Sequence, residues 1–200
     1  MKMKTLLIAC ALASLAAPLR AELAPGQPAP DFTLQDQTGR TRKLSDAKGK
    51  YVVLEWYNGG CPFVRRQYDD KNMPALQKKY AKEGVTWFTV ASSAPGRQGT
   101  LTTKTAAKAW KKEGMSSALL IDPNSEVARL YGAKTTPHMF VIDPKGNLIY
   151  MGAIDDKPST DKSDDPKNAH NYVAAALDAA MSGKPVETPV TQSYGCSVKY

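Results

Sequence analysis

The groups in this 200-residue chain best suited to chemistry are its three cysteines, Cys10, Cys61 and Cys196. Cys61 lies in EWYNGGCPFVRRQY, residues 55–68, where an apolar run ends in a glycine pair and Pro62 follows the sulfur. Proline suits the first position of a helix, where its missing amide has no helical partner to lose. Cys61 is then expected at the N-cap, with free amides and the positive helix end facing its sulfur. That setting favours thiolate over thiol and makes a nucleophile, whereas a cysteine that only fills space behaves as a small buried hydrophobe. Arg65 lies one turn further along with Arg66 beside it; either adds positive potential near the sulfur or serves as surface charge on an exposed helix.

Cys196 comes 135 positions after Cys61, in a closing stretch, KPVETPVTQSYGCSVKY, that shows no clear period and reads as a tail over residues 185–200. A mobile tail can carry its thiol to a sulfenic acid formed at Cys61, which would make Cys196 a resolving cysteine. A permanent Cys61–Cys196 staple is the alternative, and sequence spacing does not separate the two. His138 sits in an apolar strand, where packing and hydrogen bonding are its expected roles. The acids Asp155, Asp156, Asp161, Asp164 and Asp165 lack the spacing of a calcium loop and read as a solvated stretch. No metal site and no bound cofactor is expected.

The first residues, MKMKTLLIACALASLAAPLRAE, combine a basic start, an apolar stretch over residues 6–17, and small residues after Pro18. This is the layout of a secretory signal peptide over residues 1–21, too short to span a bilayer. LIAC at Cys10 looks like a lipid-attachment box but leaves almost no apolar segment ahead of it. The expected mature protein is therefore periplasmic and not an integral membrane protein. Losing the leader removes Lys2, Lys4 and Arg20 and no acid, lowering the formal charge from +8 to +5. The lysines of LQKKYAKE and TKTAAKAWKKE fall on outer helix faces, and a nucleic-acid surface would need a denser patch interleaved with aromatics. Cys10 leaves with the leader, so Cys61 and Cys196 remain as an even pair for an oxidising compartment.

The elements that must position these groups follow from periodicity. DFTLQD and TRKLSD flank a turn as a hairpin, and KYVVLEWY is a buried strand. Helical signals start at Pro62 and break at Pro74. GVTWFTVASS is the next strand, TTKTAAKAWKKEG a helix ending at Gly114, SALLID a strand, and SEVARLYG a short helix ending at Gly132. HMFVID and LIYMGAID form a second hairpin around PKGN. A polar loop over 155–168 precedes AHNYVAAALDAAMSG, an amphipathic helix with Tyr172, Val173, Ala176, Leu177, Ala180 and Met181 on one face. The order describes one α/β domain over residues 22–184, parallel at first and antiparallel at the end, followed by the tail.

VVLEWYNGGCPF followed by KTTPHMFVIDPKGNLIY resembles the thioredoxin fold. CPFV, SSAPGRQGTLT, LYGAKTTPHMFVID, GAIDDKPST and YGCSVKY resemble the redoxin, or peroxiredoxin-like, branch of the alkyl hydroperoxide reductase and thiol-specific antioxidant family, over about residues 25–182. The resemblance implies a thioredoxin-like fold, with a central mixed sheet flanked by helices, an N-terminal hairpin extension and a C-terminal tail. It implies a cis Pro137 that, with Thr136, walls the substrate side of Cys61. It also implies that Glu55 is a buried acid beneath the cysteine, able to pass protons to and from sulfur or simply held by structural partners.

Two departures qualify the likeness, and a third position excludes a copper chaperone of this fold. Val64 stands where thioredoxins carry their second cysteine, so a two-thiol cycle cannot run inside CPFV. Asn58 and Leu54 stand where peroxiredoxins carry a threonine or serine and a proline. Arg65 stands where a copper chaperone of this fold would need its second cysteine.

The function expected first is an exported, peroxidase-like thiol oxidoreductase. Cys61 attacks a peroxide, Cys196 condenses with the sulfenic acid, and an external thiol reductant restores both. Thiol–disulfide exchange with protein disulfides is the alternative enzyme, and a peptide-holding module with a permanent Cys61–Cys196 bond is the non-enzymatic one. Both enzymatic readings require a Cys61 sulfur that is ionised and reachable.

Overall fold

The computed structural model describes residues 22–161 and 164–200; the expected signal peptide lies outside the described residues. Among the described residues nine strands and five α-helices follow in chain order, with short 3-10 turns at Ser45–Ala47 and Pro166–Asn168. Strands β1 (Thr33–Asp36) and β2 (Thr41–Lys43) form the expected hairpin, and β3 (Val52–Trp56) leads to α1 (Pro62–Asp69) and α2 (Asn72–Lys82). Then come β4 (Thr86–Ala91), α3 (Thr103–Glu113), β5 (Ala118–Ile121), α4 (Glu126–Tyr131), β6 (Thr135–Thr136), β7 (Met139–Ile142) and β8 (Leu148–Gly152). The chain closes with α5 (Tyr172–Met181) and β9 (Cys196–Ser197).

Seven strands make one sheet in the order β2-β1-β5-β4-β3-β7-β8. β3 lies parallel to β4 and β4 parallel to β5, each joined by helical crossovers, while β7 runs antiparallel to β3 and pairs with β8. All five residues of β3 are buried, as a central strand covered on both faces requires. Alternation then sorts its side chains: Val53 joins a core with α1, α2, α3 and α5, and Val52, Leu54 and Trp56 join one with α4 and the N-terminal hairpin.

Helix ends follow the expected chemistry at Gly114 and Gly132, which take left-handed φ of 68° and 61° after α3 and α4. The break near Pro74 falls earlier than expected. α1 ends at Asp69, Lys71 turns through φ 59°, and Pro74 lies in the first turn of α2. A first-turn amide has no acceptor within its helix, so proline is tolerated there. Val173, Ala176 and Leu177 of α5 are buried as expected, but Met181 stands exposed at the helix end.

The larger correction is the tail. Residues 185–200 are not a loose end but lie back across the domain. Met151 bridges to Val190, Ser93 bridges to Lys199, and β9 pairs antiparallel with β6 in a separate two-stranded sheet. Val198 is buried in the core shared with α4. Among the described residues no helix is long and apolar enough to cross a membrane.

Candidate redox site

The site begins where β3 leaves the sheet. Tyr57 N–H still donates to Val90 O at 2.9 Å, and the chain then turns through Asn58, Gly59 and Gly60. Asn58 shapes that turn: its Oδ1 accepts from Gly60 N–H at 2.9 Å, and its carbonyl accepts from Cys61 N–H at 3.0 Å. Its Nδ2 donates to Gln98 O at 3.2 Å, fastening the turn to the loop after β4. Gly99, at φ 88°, passes so close that a Cβ there would meet Asn58 at 2.6 Å.

Cys61 takes the expected N-cap position, with extended backbone and Pro62 opening α1, and Arg65 N–H donates to its carbonyl at 2.9 Å. The Val64 amide is directed at the sulfur without closing a full capping hydrogen bond. Burial works to raise the Cys61 pKa, but hydrogen bonding from the Cys196 thiol, the Val64 and Cys196 amides and the Thr136 side chain outweighs it and holds the pKa below the ordinary thiol value.

The expectation of a reachable sulfur is not met in this conformation, because Cys61 is 0% exposed. What covers it is informative. The Thr136–Pro137 peptide is cis, as the resemblance implies, and in the thiol form Cys61 Sγ–H donates to Thr136 O at 3.0 Å. Trp56 N–H donates to His138 O at 2.9 Å, so the end of β3 holds this turn beside the helix start. Thr136 is the register partner of Cys196 across β6 and β9, which brings the two thiols together as a reduced, unbonded pair. Cys196 is half-buried, and burial together with the neighbouring Cys61 pushes its pKa up to about 11.

The tail is pinned on both sides of Cys196. Tyr194 Oη–H donates to Asp155 Oδ1 at 2.5 Å, and its ring packs against Phe63, two positions after Cys61, at 5.7 Å between centroids. Asp155 is 1% exposed, not part of a solvated acidic stretch, and its Oδ2 accepts from Gln67 of α1 at 2.7 Å. Beyond Cys196, Val198 N–H donates to Lys134 O at 3.1 Å, and Tyr200 Oη–H donates to Ala133 O at 2.5 Å. Gly195, at φ 121°, makes the approach possible, since a Cβ would stand 2.1 Å from Thr136 O.

The remaining expected residues are placed apart from the sulfur pair. Glu55 is buried on β3, where its carboxylate accepts from Tyr68 (2.6 Å), Trp87 (2.9 Å), Gln77 (3.0 Å) and Thr89 (3.1 Å). Burial raises its pKa and these donors restrain the rise. Arg65 turns its guanidinium to Glu113 at 2.6 and 2.7 Å and to Asp69 at 2.8 Å, so two carboxylates meet its charge. Arg66 is buried and donates to the carbonyls of Lys157 and Asp164. His138 is packed as expected: its Nδ1 accepts from Lys134 N–H, and burial pushes its pKa down to about 4. Among the described residues no group of three or more histidine, cysteine or acidic side chains could hold a metal ion.

Sequence reasoning missed Tyr194, Asp155 and the β6–β9 pairing. A signal was present in SYGCSVKY, where Tyr194, Cys196, Val198 and Tyr200 alternate with smaller or polar residues in the period of a strand.

Known proteins are similar to this chain in sequence and fold. The chain is 30% identical to the thiol-disulfide oxidoreductase ResA of Geobacillus thermodenitrificans over 126 residues, 63% of this chain and 67% of that relative. Solved structures of a conserved protein from Geobacillus kaustophilus and of a hypothetical protein from Sinorhizobium meliloti superpose with TM-scores of 0.77 and 0.79. Each is 27% identical and covers 90% of this chain, and 94% and 96% of its own. The AhpC/TSA family pattern matches residues 25–151. With the mixed sheet, the helix-start cysteine and the cis-proline turn in place, the chain belongs to the AhpC/TSA family and is a thiol oxidoreductase of thioredoxin-like fold.

Proposed function

We propose that this protein is an exported dithiol oxidoreductase whose working couple is Cys61 and Cys196 and whose substrates are protein disulfides. The observation that carries the reading is the placement of the two cysteines: Cys61 Sγ lies 3.0 Å from Thr136 O, and Thr136 is the register partner of Cys196 across the β6–β9 pair. With Val64 in place of a second cysteine in the helix motif, Cys196 supplies the missing thiol from the far end of the chain. In one turnover a sulfur of the couple forms a mixed disulfide with the substrate and the other attacks it. The substrate leaves as a dithiol, Cys61–Cys196 is left bonded, and an external thiol reduces it again. Pro137 and Thr136 wall the pair, and Arg65 positions α1 against α3 through Glu113. Glu55 has four donors and none is the sulfur, which supports the structural alternative for it. Residues 1–21 would direct the protein to an oxidising, periplasmic compartment; a fusion of these residues to a reporter that stays in the cytoplasm would overturn that part.

Peroxide reduction is the second reading, favoured by the same contact, since a sulfenic acid on Cys61 would find Cys196 beside it. Asn58, which stands where peroxiredoxins carry a threonine or serine, and Arg65 are engaged with Gln98 and Glu113.

The test mixes reduced protein with oxidised glutathione or with hydrogen peroxide and follows the Cys61–Cys196 bond by mass spectrometry, alongside turnover with a thiol reductant. Disulfide exchange predicts efficient turnover on the disulfide that Cys61→Ser and Cys196→Ser each lower by at least about 100-fold. A Cys61→Ser protein with full turnover on either oxidant would sink the couple, and turnover on peroxide alone would select the second reading.

A further inference from the structure

The two sulfurs of the couple are not equivalent towards the outside. Cys61 is fully enclosed by the Thr136–Pro137 turn and the strand that carries Cys196, whereas Cys196 is only half-buried. The enclosing strand is fastened before Cys196 by Tyr194 on Asp155, and after it by the buried Val198, by Tyr200 on Ala133 O, and by Ala94 N–H on Lys199 O at 2.8 Å. Reaching Cys61 directly would require moving this strand, while Cys196 is partly open to solvent with the strand in place.

We infer that Cys196 is the sulfur at which an outside thiol or disulfide bonds, and that Cys61 is the inner partner that leaves and returns. The inference rests on the proposed couple and reverses the order expected from sequence, in which the helix-start cysteine meets the substrate. In the reductive step an outside thiolate attacks Cys196 Sγ of the Cys61–Cys196 disulfide. The outside sulfur bonds to Cys196, the internal S–S bond breaks, and Cys61 departs with the electron pair as thiolate. A second outside thiolate attacks the outside sulfur of that mixed disulfide and releases the outside disulfide. Cys196 leaves as thiolate, and each cysteine can then take a proton from solvent. Run backwards, the same steps reduce a substrate disulfide. In the reductive direction leaving-group chemistry agrees with the geometry: a thiol of lower pKa leaves faster, and hydrogen bonding lowers Cys61 while burial and Cys61 itself raise Cys196.

The experiment uses the full-length protein and glutathione as the probe. Oxidised wild-type protein is exposed to reduced glutathione, quenched in acid within the first turnover and digested, and the adduct is mapped by mass spectrometry. Glutathione on Cys196 is the expected result; glutathione on Cys61 overturns the inference. In parallel, reduced Cys61→Ser and Cys196→Ser proteins are treated with oxidised glutathione. The cysteine left in Cys61→Ser should be modified at least about 10-fold faster, after correction for thiolate fraction, than the one left in Cys196→Ser. Equal rates, or a faster Cys61, would also overturn it. Failure of the underlying couple looks different: oxidised wild-type protein would then contain no Cys61–Cys196 bond to attack.

Discussion

At the scale of single residues, the site is a study in how neighbours set one sulfur's acidity. Burial alone would keep Cys61 protonated, and the donors around it reverse the sign, with the Cys196 thiol the largest of them. Cys196→Ala is therefore expected to move the Cys61 titration to higher pH, read from the thiolate absorbance near 240 nm on a pH series; an unmoved titration would show that the amides suffice. The burial of His138 has the opposite use. Its pKa falls from 6.5 to about 4, so the unfolded chain takes up a proton that the folded one refuses between those values. Stability is unaffected above that window and is lost as pH drops through it, by up to about 3 kcal/mol. His138→Asn, which keeps an acceptor for Lys134 N–H, should flatten this slope in denaturant titrations at pH 7 and pH 4.5. The sequence made the position of Cys61 legible because a glycine pair and a following proline are local signals. It could not show the lid, because Thr136 and Cys196 meet through a two-residue pairing 60 positions apart.

At the scale of elements, β9 is the piece on which the proposed chemistry turns. It has two residues, and its place depends on contacts outside it. Gly195→Ala puts a Cβ against Thr136 O at a φ that side chains rarely adopt, so β9 should lift away at a cost of about 1–3 kcal/mol. The expected readout is a weaker Cys61–Cys196 disulfide in glutathione equilibrium, together with faster alkylation of Cys61. Tyr194→Phe leaves the ring on Phe63 but removes the hydroxyl from buried Asp155, and should cost about 1–3 kcal/mol in a melt. A cost near zero would mean that Asp155 is held well enough by Gln67, Lys157 N–H and the buried Arg66 guanidinium. Strands, crossover helices and glycine stops were legible element by element, since each carries its own period. The buried role of Asp155 was not, because one enclosed acid among five in a polar run has no signature in composition.

At the scale of the whole molecule, the contact between Cys61 and Cys196 joins a helix near the start of the domain to almost the last residue of the chain. If a covalent bond forms there, the 134 intervening residues are closed into a ring. A ring of that size removes so much freedom from the unfolded chain that oxidation should add up to about 5 kcal/mol of resistance to unfolding. Calorimetry of the oxidised and reduced forms would read this as two separate melting temperatures. Electrons lodged at one small spot would then govern how long the entire polypeptide survives heat or a protease, making durability itself a record of the last substrate encountered.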